Sequence, residues 1–297
     1  MVVDYKKLGL VNTREMFKRA IKGGYAIPAF NFNNLEQLQA IIKASSELRS
    51  PVILQVSKGA RKYANQTLLR YLAEGAVEYA KELGCHHPEI VLHLDHGDGF
   101  DRCIQAARAG YTSVMIDGSH VPFEDNIALT ASVTKFAGPI NLPVEAELGK
   151  VGGKEDDGPA VEGENPYTDP DQAEEFVART NCTSLAVGVG TAHGVYHGTP
   201  HIEQGVLKAI RQRLDIPLVL HGTSGVPDDQ VAEAIQNGIC KVNYATELRQ
   251  VFTAAFMKYM SENPGNFDPK KPSVPGMEAI TQIVASHMDN LGSSHKA

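Results

Sequence analysis

The sequence predicts a (β/α)8 barrel, a single domain over residues 1–297 in which a closed parallel sheet is wrapped by helices. Three observations lead there. Eight short runs rich in Val, Ile and Leu recur along the chain; amphipathic stretches with apolar residues three or four apart lie between them; and no G-x-G-x-x-G follows the first run. Continuously apolar strands that alternate with helices imply a parallel sheet covered on both faces. Eight such units in this length fit a closed barrel better than an open, doubly wound sheet.

In chain order the candidate strands are AIPAFNF (26–32), PVILQV (51–56), EIVLHLDH (89–96), SVMIDGS (113–119), PVEAELG (143–149), SLAVGVG (184–190), PLVLHGT (217–223) and ICKVNYAT (239–246). Between them, LEQLQAIIKASSEL, TLLRYLAEGAVEYAKEL, DQAEEFVART and PDDQVAEAIQN carry helical periodicity. Capping signals open two of these, Asp171 before QAEEFV and Pro227 followed by two aspartates. One segment breaks the rhythm. Residues 149–171, GKVGGKEDDGPAVEGENPYTDPD, are too long and too rich in Gly, Pro and acid for a strand-to-helix turn, and are expected to form a mobile active-site loop.

Composition removes several classes of function. A formal charge of −7 with no Lys/Arg cluster argues against a nucleic-acid surface. Residues 1–20 mix Asp4, Lys6, Lys7, Arg14, Glu15 and Lys18 among apolar positions, so no signal peptide is expected, and no apolar segment is long enough to span a bilayer. Cys85, Cys103, Cys182 and Cys240 are far apart and form no C-x-x-C pair, which suits reduced, buried thiols and a cytoplasmic protein.

The chemistry gathers at strand ends. His96 in LHLDHG, His193 in VGVGTAHG and His221 in LVLHG each close an apolar run and are followed by glycine. A lone histidine in such a place is more often a hydrogen-bonded core or loop residue than a ligand. A barrel, however, collects the C-terminal ends of its strands around one mouth, so the three converge, and three neutral imidazoles with an open fourth position form a catalytic zinc pattern. Asp95 directly precedes His96; on an extended backbone it points away from that histidine, unless the strand is already turning. It is a candidate acid/base near the metal. Glu145 and Glu147 share one face of the fifth strand, where buried carboxylates are costly unless paired or functional, and Glu147 is placed to reach the metal's surroundings. Asp117 in MIDGSH is a fainter candidate that a turn cap explains equally well. His93 lacks a strand-end glycine and is expected in the core below the site.

Anion binding is suggested by the last two units. HGTSGVP (221–227) is a Gly- and Ser-rich turn before a helix, and VNYATEL (242–248) brings Asn243 and Thr246 to the start of another. Helix N-termini attract anions, and the loops after barrel strands seven and eight often seat a phosphate, although ordinary caps look similar.

Taken in order, LHLDHG, EAELG, GGKEDD, GTAHG, LHGTSGVP and KVNYATE resemble the class II, metal-dependent ketose-bisphosphate aldolases over nearly the whole chain. The resemblance implies a zinc-dependent barrel enzyme that cleaves a ketose 1,6-bisphosphate into dihydroxyacetone phosphate and glyceraldehyde 3-phosphate through a metal-stabilised enediolate. It also implies a homodimer or homotetramer and a Na+ or K+ ion near the dihydroxyacetone phosphate end. Position by position, His96, His193 and His221 look like the zinc ligands, Glu147 like an alternate ligand, and Asp95 like the residue that exchanges a proton with the C4 hydroxyl. Glu155 resembles the mobile-loop acid that handles the C3 proton, and Asn31, Ser57, Gly194, Gly222, Ser224, Asn243 and Thr246 resemble substrate and phosphate contacts.

Three positions depart from the fructose-bisphosphate pattern. His197 stands where a lysine is usual, Ala245 where Asp or Asn is usual, and Met277 where many members carry an arginine. Ala245 and Met277 resemble the tagatose-bisphosphate branch and tilt the expected substrate toward tagatose over fructose 1,6-bisphosphate, whereas His197 fits neither pattern. Two other readings are a metal-dependent hydrolase on the same barrel, which would not need two phosphate turns, and an aldolase subunit active only with an accessory partner chain.

Overall fold

The computed structural model describes residues 3–154, 160–161, 167–196 and 198–297. Eight parallel strands close into a barrel in chain order: β1 (Ile27–Asn31), β2 (Val52–Val56), β3 (Ile90–Gly97), β4 (Ser113–Ile116), β5 (Val144–Leu148), β6 (Ser184–Val187), β7 (Leu218–Leu220) and β8 (Ile239–Tyr244). β8 pairs back onto β1, with Ala29 opposite Asn243. Each strand matches one of the eight apolar runs, and β6 and β7 stop where their runs enter glycine-rich turns. Every residue of β1, β2, β5 and β8 is buried, because helices cover the outer face while side chains fill the inside.

The amphipathic stretches form the outer ring. Leu35–Leu48 starts at Asn34, whose side chain accepts a hydrogen bond from the Gln37 N–H. Pro170–Thr180 is capped by Asp169, which accepts from the N–H groups of Asp171 and Gln172. Asp171, expected to open that helix, therefore sits inside its first turn: Pro170 needs no N–H partner at the first helical position, and this moves the cap one residue further back. The last two helices, Thr246–Glu262 and Lys270–Asn290, pack against each other, and the second also packs on Leu35–Leu48 and β1. Among the described residues no helix is long and apolar enough to cross a membrane.

The described part of the 149–171 segment holds two short strands. Gly152–Lys154 pairs antiparallel with Ala160–Val161 and parallel with Ala192–His193.

Aliphatic side chains dominate the interiors of most such barrels. Here the interior is partly polar, and strand register explains how it is satisfied. Asn31, Gln55, His93 and Ser113 are neighbours across β1 to β4. Gln55 Nε2 donates to Asn31 Oδ1 at 2.9 Å, and His93 Nδ1 lies 2.9 Å from Ser113 Oγ. His93 is fully buried as expected; burial and then the nearby Lys241 charge hold its pKa well below the usual histidine range.

Candidate active site

The mouth of the barrel is shaped by a bend in β3. Pairing between β3 and β4 shifts register between Leu94 and Gly97, and His96 has a φ of 45°, in the left-handed region that β-bulges exploit. The strand is thus turning where Asp95 and His96 stand. Consecutive side chains that a regular strand would send to opposite faces line the same cavity.

Three imidazoles meet there. Ring centroids of His96 lie 5.1 Å from His193 and 4.8 Å from His221, and His193 lies 5.8 Å from His221. One nitrogen of each falls within 4.8 Å of the others. Neighbouring groups select the nitrogens that face inward. His96 Nδ1 is 2.8 Å from Asp117 Oδ2, whose other oxygen accepts from the Ser119 N–H and hydroxyl. His221 Nε2 is 2.9 Å from Glu145 Oε1, leaving Nδ1 buried without a hydrogen-bond partner among the described residues, 3.3 Å from Glu147 Oε2. Burial opposes protonation of His221, but the Glu145 and Glu147 contacts outweigh it and raise its pKa. A buried imidazole fixed by a carboxylate on one nitrogen, as His221 is, fits a metal ligand, and three imidazoles grouped this closely suit a borderline divalent ion such as zinc. A second grouping of His96, Asp117 and Glu147 shares one histidine, but its Asp117 oxygens are already engaged by His96 and Ser119.

Asp95 is equally well held. Its Oδ2 accepts from Asn31 Nδ2 at 2.6 Å, while Oδ1 is buried with no hydrogen-bond partner among the described residues and stands 3.9 Å from His96 Nε2. Behind the histidines, Lys241 Nζ donates to both oxygens of Glu145 at 3.0 and 2.8 Å. Burial alone would raise the pKa of Glu145; Lys241 and His221 hold it well below the usual carboxylate range.

His193 does not sit at the end of a barrel strand. β6 stops at Val187, and His193 arrives from the following loop, in the short strand Ala192–His193. Tyr196 fixes that loop: its hydroxyl accepts from the Ala192 N–H and donates to the Gly222 carbonyl, both at 2.7 Å. The approach demands glycine at two places. A Cβ on Gly222 (φ 64°) would lie 2.6 Å from the Ala192 carbonyl group, and one on Gly153 (φ 83°) would lie 2.1 Å from the His193 carbonyl oxygen.

Together these residues form a cavity of about 160 Å³ lined by Asn31, Asp95, His96, His193, Asn243, Thr246 and their neighbours. The sequence profile of the class-II fructose-bisphosphate aldolases matches residues 11–296. The chain belongs to that family. A fructose-bisphosphate aldolase of Treponema pallidum (strain Nichols) is 44% identical over 335 aligned positions, covering 100% of this chain and 100% of the relative. That of Geobacillus stearothermophilus is 43% identical over 293, covering 98% and 99%. Among solved structures, the YdjI aldolase of Escherichia coli K12 is 35% identical with a TM-score of 0.83, covering 97% of this chain and 99% of that one.

Most residues singled out in the sequence of this aldolase come together. Asn31, Asp95, His96, His193, Gly194, Gly222, Ser224, Asn243 and Thr246 all line the cavity. His221 and Glu147 are buried behind this lining, with His221 Nδ1 3.3 Å from Glu147 Oε2. Ser57 instead caps the helix Lys58–Ala64, accepting from the Ala60 N–H at 3.2 Å, and is not among the lining residues. Glu155 and His197 lie outside the described residues. Ala245 lines the cavity, whereas Met277 packs against the core from the last helix.

Sequence reasoning missed two contributors, Arg249 and Lys241, and ranked a third, Asp117, only as a fainter candidate. Arg249 lines the cavity one turn into the helix Thr246–Glu262 and is the one fixed positive charge among the described residues that line it. Its only sequence signal was its spacing of three from Thr246. Lys241 was visible as a lysine inside an apolar run, and Asp117 as an acid at a strand end; each positions a histidine, directly or through Glu145.

Proposed function

We propose that this aldolase cleaves a ketose 1,6-bisphosphate, fructose or tagatose, reversibly to dihydroxyacetone phosphate and glyceraldehyde 3-phosphate. The observation that carries the reading is the convergence of His96, His193 and His221 at the edge of a cavity into which His96, His193 and Asp95 open, with one Asp95 oxygen lacking a hydrogen-bond partner among the described residues and the turns at Ser224 and Thr246 on the same wall. The relatives bear the fructose name. Ala245 on the cavity wall favours tagatose. The two sugars differ only at C4.

His96, His193 and His221 would hold the metal, for which we propose zinc, with Glu147 beside His221 as an alternate ligand. A divalent ion bound by three neutral donors supplies Lewis acidity toward negative charge on the substrate's carbonyl oxygen. Asp95, oriented by Asn31, takes the C4 hydroxyl proton through Oδ1 as the C3–C4 bond breaks and C4 becomes the aldehyde. Electrons of that bond pass to C3, where Glu155 is the proposed proton donor. The backbone amides and hydroxyls of Gly194, Gly222, Ser224 and Thr246, with Asn243 and Arg249, would bind the dihydroxyacetone phosphate end, alongside Na+ or K+. Ser57, at the start of the helix Lys58–Ala64, is proposed as a further substrate contact. No lysine nucleophile enters: the buried Lys241 is occupied by Glu145.

We also propose a homodimer or homotetramer, supported by exposed Tyr63, Leu68 and Tyr71, and a reducing, cytoplasmic setting, supported by four buried free cysteines. Sedimentation of the purified chain tests the first; activity only on adding a second chain would point to an accessory subunit.

A coupled assay for dihydroxyacetone phosphate, run with both sugars and with or without chelator, tests the main reading. Cleavage that stops on metal removal and returns with zinc is expected; undiminished cleavage would refute the metal, and release of inorganic phosphate in place of a triose phosphate would indicate a hydrolase. Asp95→Ala should nearly abolish turnover with metal content unchanged, and loss of metal instead would make Asp95 a ligand.

A further inference from the structure

The helix Lys270–Asn290 carries a buried histidine that no step above uses. His287 stacks on Tyr244 with ring centroids 3.8 Å apart and an interplanar angle of 14°, and Phe30 continues the stack 5.8 Å from Tyr244. Its Nε2 lies 2.9 Å from Glu247 Oε1, a charge contact and not an aligned hydrogen bond, since neither atom has a hydrogen-bond partner among the described residues. The stack stands directly behind the cavity: Tyr244 is flanked by the lining residues Asn243 and Ala245, Phe30 precedes Asn31, and Glu247 follows Thr246.

Glu247 poses an electrostatic problem. An acid in the first turn of a helix is favoured by the helix dipole, but this is the turn where the substrate phosphate is placed. A carboxylate free to swing toward that phosphate would repel a dianion in a partly dehydrated cavity, where charge interactions are weakly screened. Carboxylate and imidazole side chains are both largely buried, at 16% and 11% exposure, so their contact is shielded from competition by water.

We propose that His287 is a positioning residue: it holds the Glu247 carboxylate against the last helix and away from the cavity, so that the first turn of Thr246–Glu262 offers its N–H groups, Thr246 and Arg249 to the substrate phosphate. The assignment rests on the phosphate placement proposed above. The terminal helix then contributes to substrate affinity without touching substrate.

The test is a set of variants read as KM and kcat on the bisphosphate and as Kd for dihydroxyacetone phosphate by calorimetry. His287→Phe keeps an aromatic ring on Tyr244 and loses the contact with Glu247; KM and Kd should rise about tenfold with kcat within about twofold, the pattern of lost uniform binding. Glu247→Gln in that background removes the charge and should bring both constants back to within about twofold of wild type. His287→Gln retains an N–H donor without the ring and should stay near wild type, which separates the Glu247 contact from stacking even where His287→Phe is less stable. Unchanged KM in His287→Phe, or no recovery with Glu247→Gln, overturns the role. Ser224→Ala and Thr246→Val provide the reference: if neither weakens binding, the phosphate placement itself fails, whereas weakening there without an effect of His287→Phe removes only the role of His287.

Discussion

Lys241→Met probes the polar heart of the barrel. Lys241 and Glu145 are 0% and 1% exposed, and the ammonium donates to both carboxylate oxygens at 3.0 and 2.8 Å. Without it, Glu145 keeps His221 Nε2 at 2.9 Å and the more distant His93 Nε2 at 3.7 Å, neither a fixed positive charge. Stripping one partner from a buried pair typically costs about 3–5 kcal/mol, because the remaining charge is desolvated and uncompensated. Lys241→Met/Glu145→Leu removes both charges and leaves chiefly the His221 Nε2 unpaired, a loss of about 1–3 kcal/mol. The double variant should therefore be more stable than the single one by about 2 kcal/mol, from the midpoints of the two ranges. Urea unfolding of the metal-free proteins, followed by circular dichroism and compared as midpoints at constant slope, measures the difference. A single variant within about 1 kcal/mol of wild type, or a double variant no more stable than the single, would show that the pair does not behave as a buried ion pair.

Two further outcomes follow from burial. His93 has a folded pKa well below its unfolded value, so its contribution to stability is present above about pH 6.5 and is lost as pH falls toward the folded pKa. Unfolding midpoints of the metal-free protein should thus decline on acidification, less steeply in His93→Asn; equal slopes would place that proton uptake elsewhere. All four cysteines are buried, and burial pushes the Cys103 thiol up to about 12 and Cys182 up to about 11. The native chain should react with a thiol-specific chromogenic disulfide at pH 8 only after denaturant is added, and rapid labelling of any cysteine before that would contradict the packing.

The barrel was legible because its signal is repetitive. Eight apolar runs had to be hidden on both faces, and only a closed parallel sheet does this for all of them. Local exceptions were less visible. Asp171 looked like a cap because it precedes a periodic stretch, but Pro170 extends that helix backward to Asp169. β3 looked extended because its composition is that of a strand; its bend depends on contact with β4, where a Cβ on Gly97 would lie 2.5 Å from the Met115 carbonyl oxygen. The glycine was in the sequence, but the carbonyl that makes it necessary was not.

The site was legible to the extent that its chemistry is rare along the chain. Histidine followed by glycine after an apolar run is unusual enough to mark His96, His193 and His221, even though His193 enters from a loop beyond its strand. The groups that orient them are ordinary in isolation: an acid beside a turn at Asp117, one of two glutamates on β5, a lysine in an apolar run. Their roles exist only across strands, since Glu145 and Lys241 are 96 positions apart and meet through barrel closure. A charged residue in a run otherwise buried on both faces is nevertheless a signal, because it cannot be left unpaired. Lys241 and Glu145 were each such a residue, and the most economical pairing of two opposite buried charges inside one barrel is with each other. Applied to β8 as it was to β5, that inference would have placed the ion pair behind His221 from the sequence.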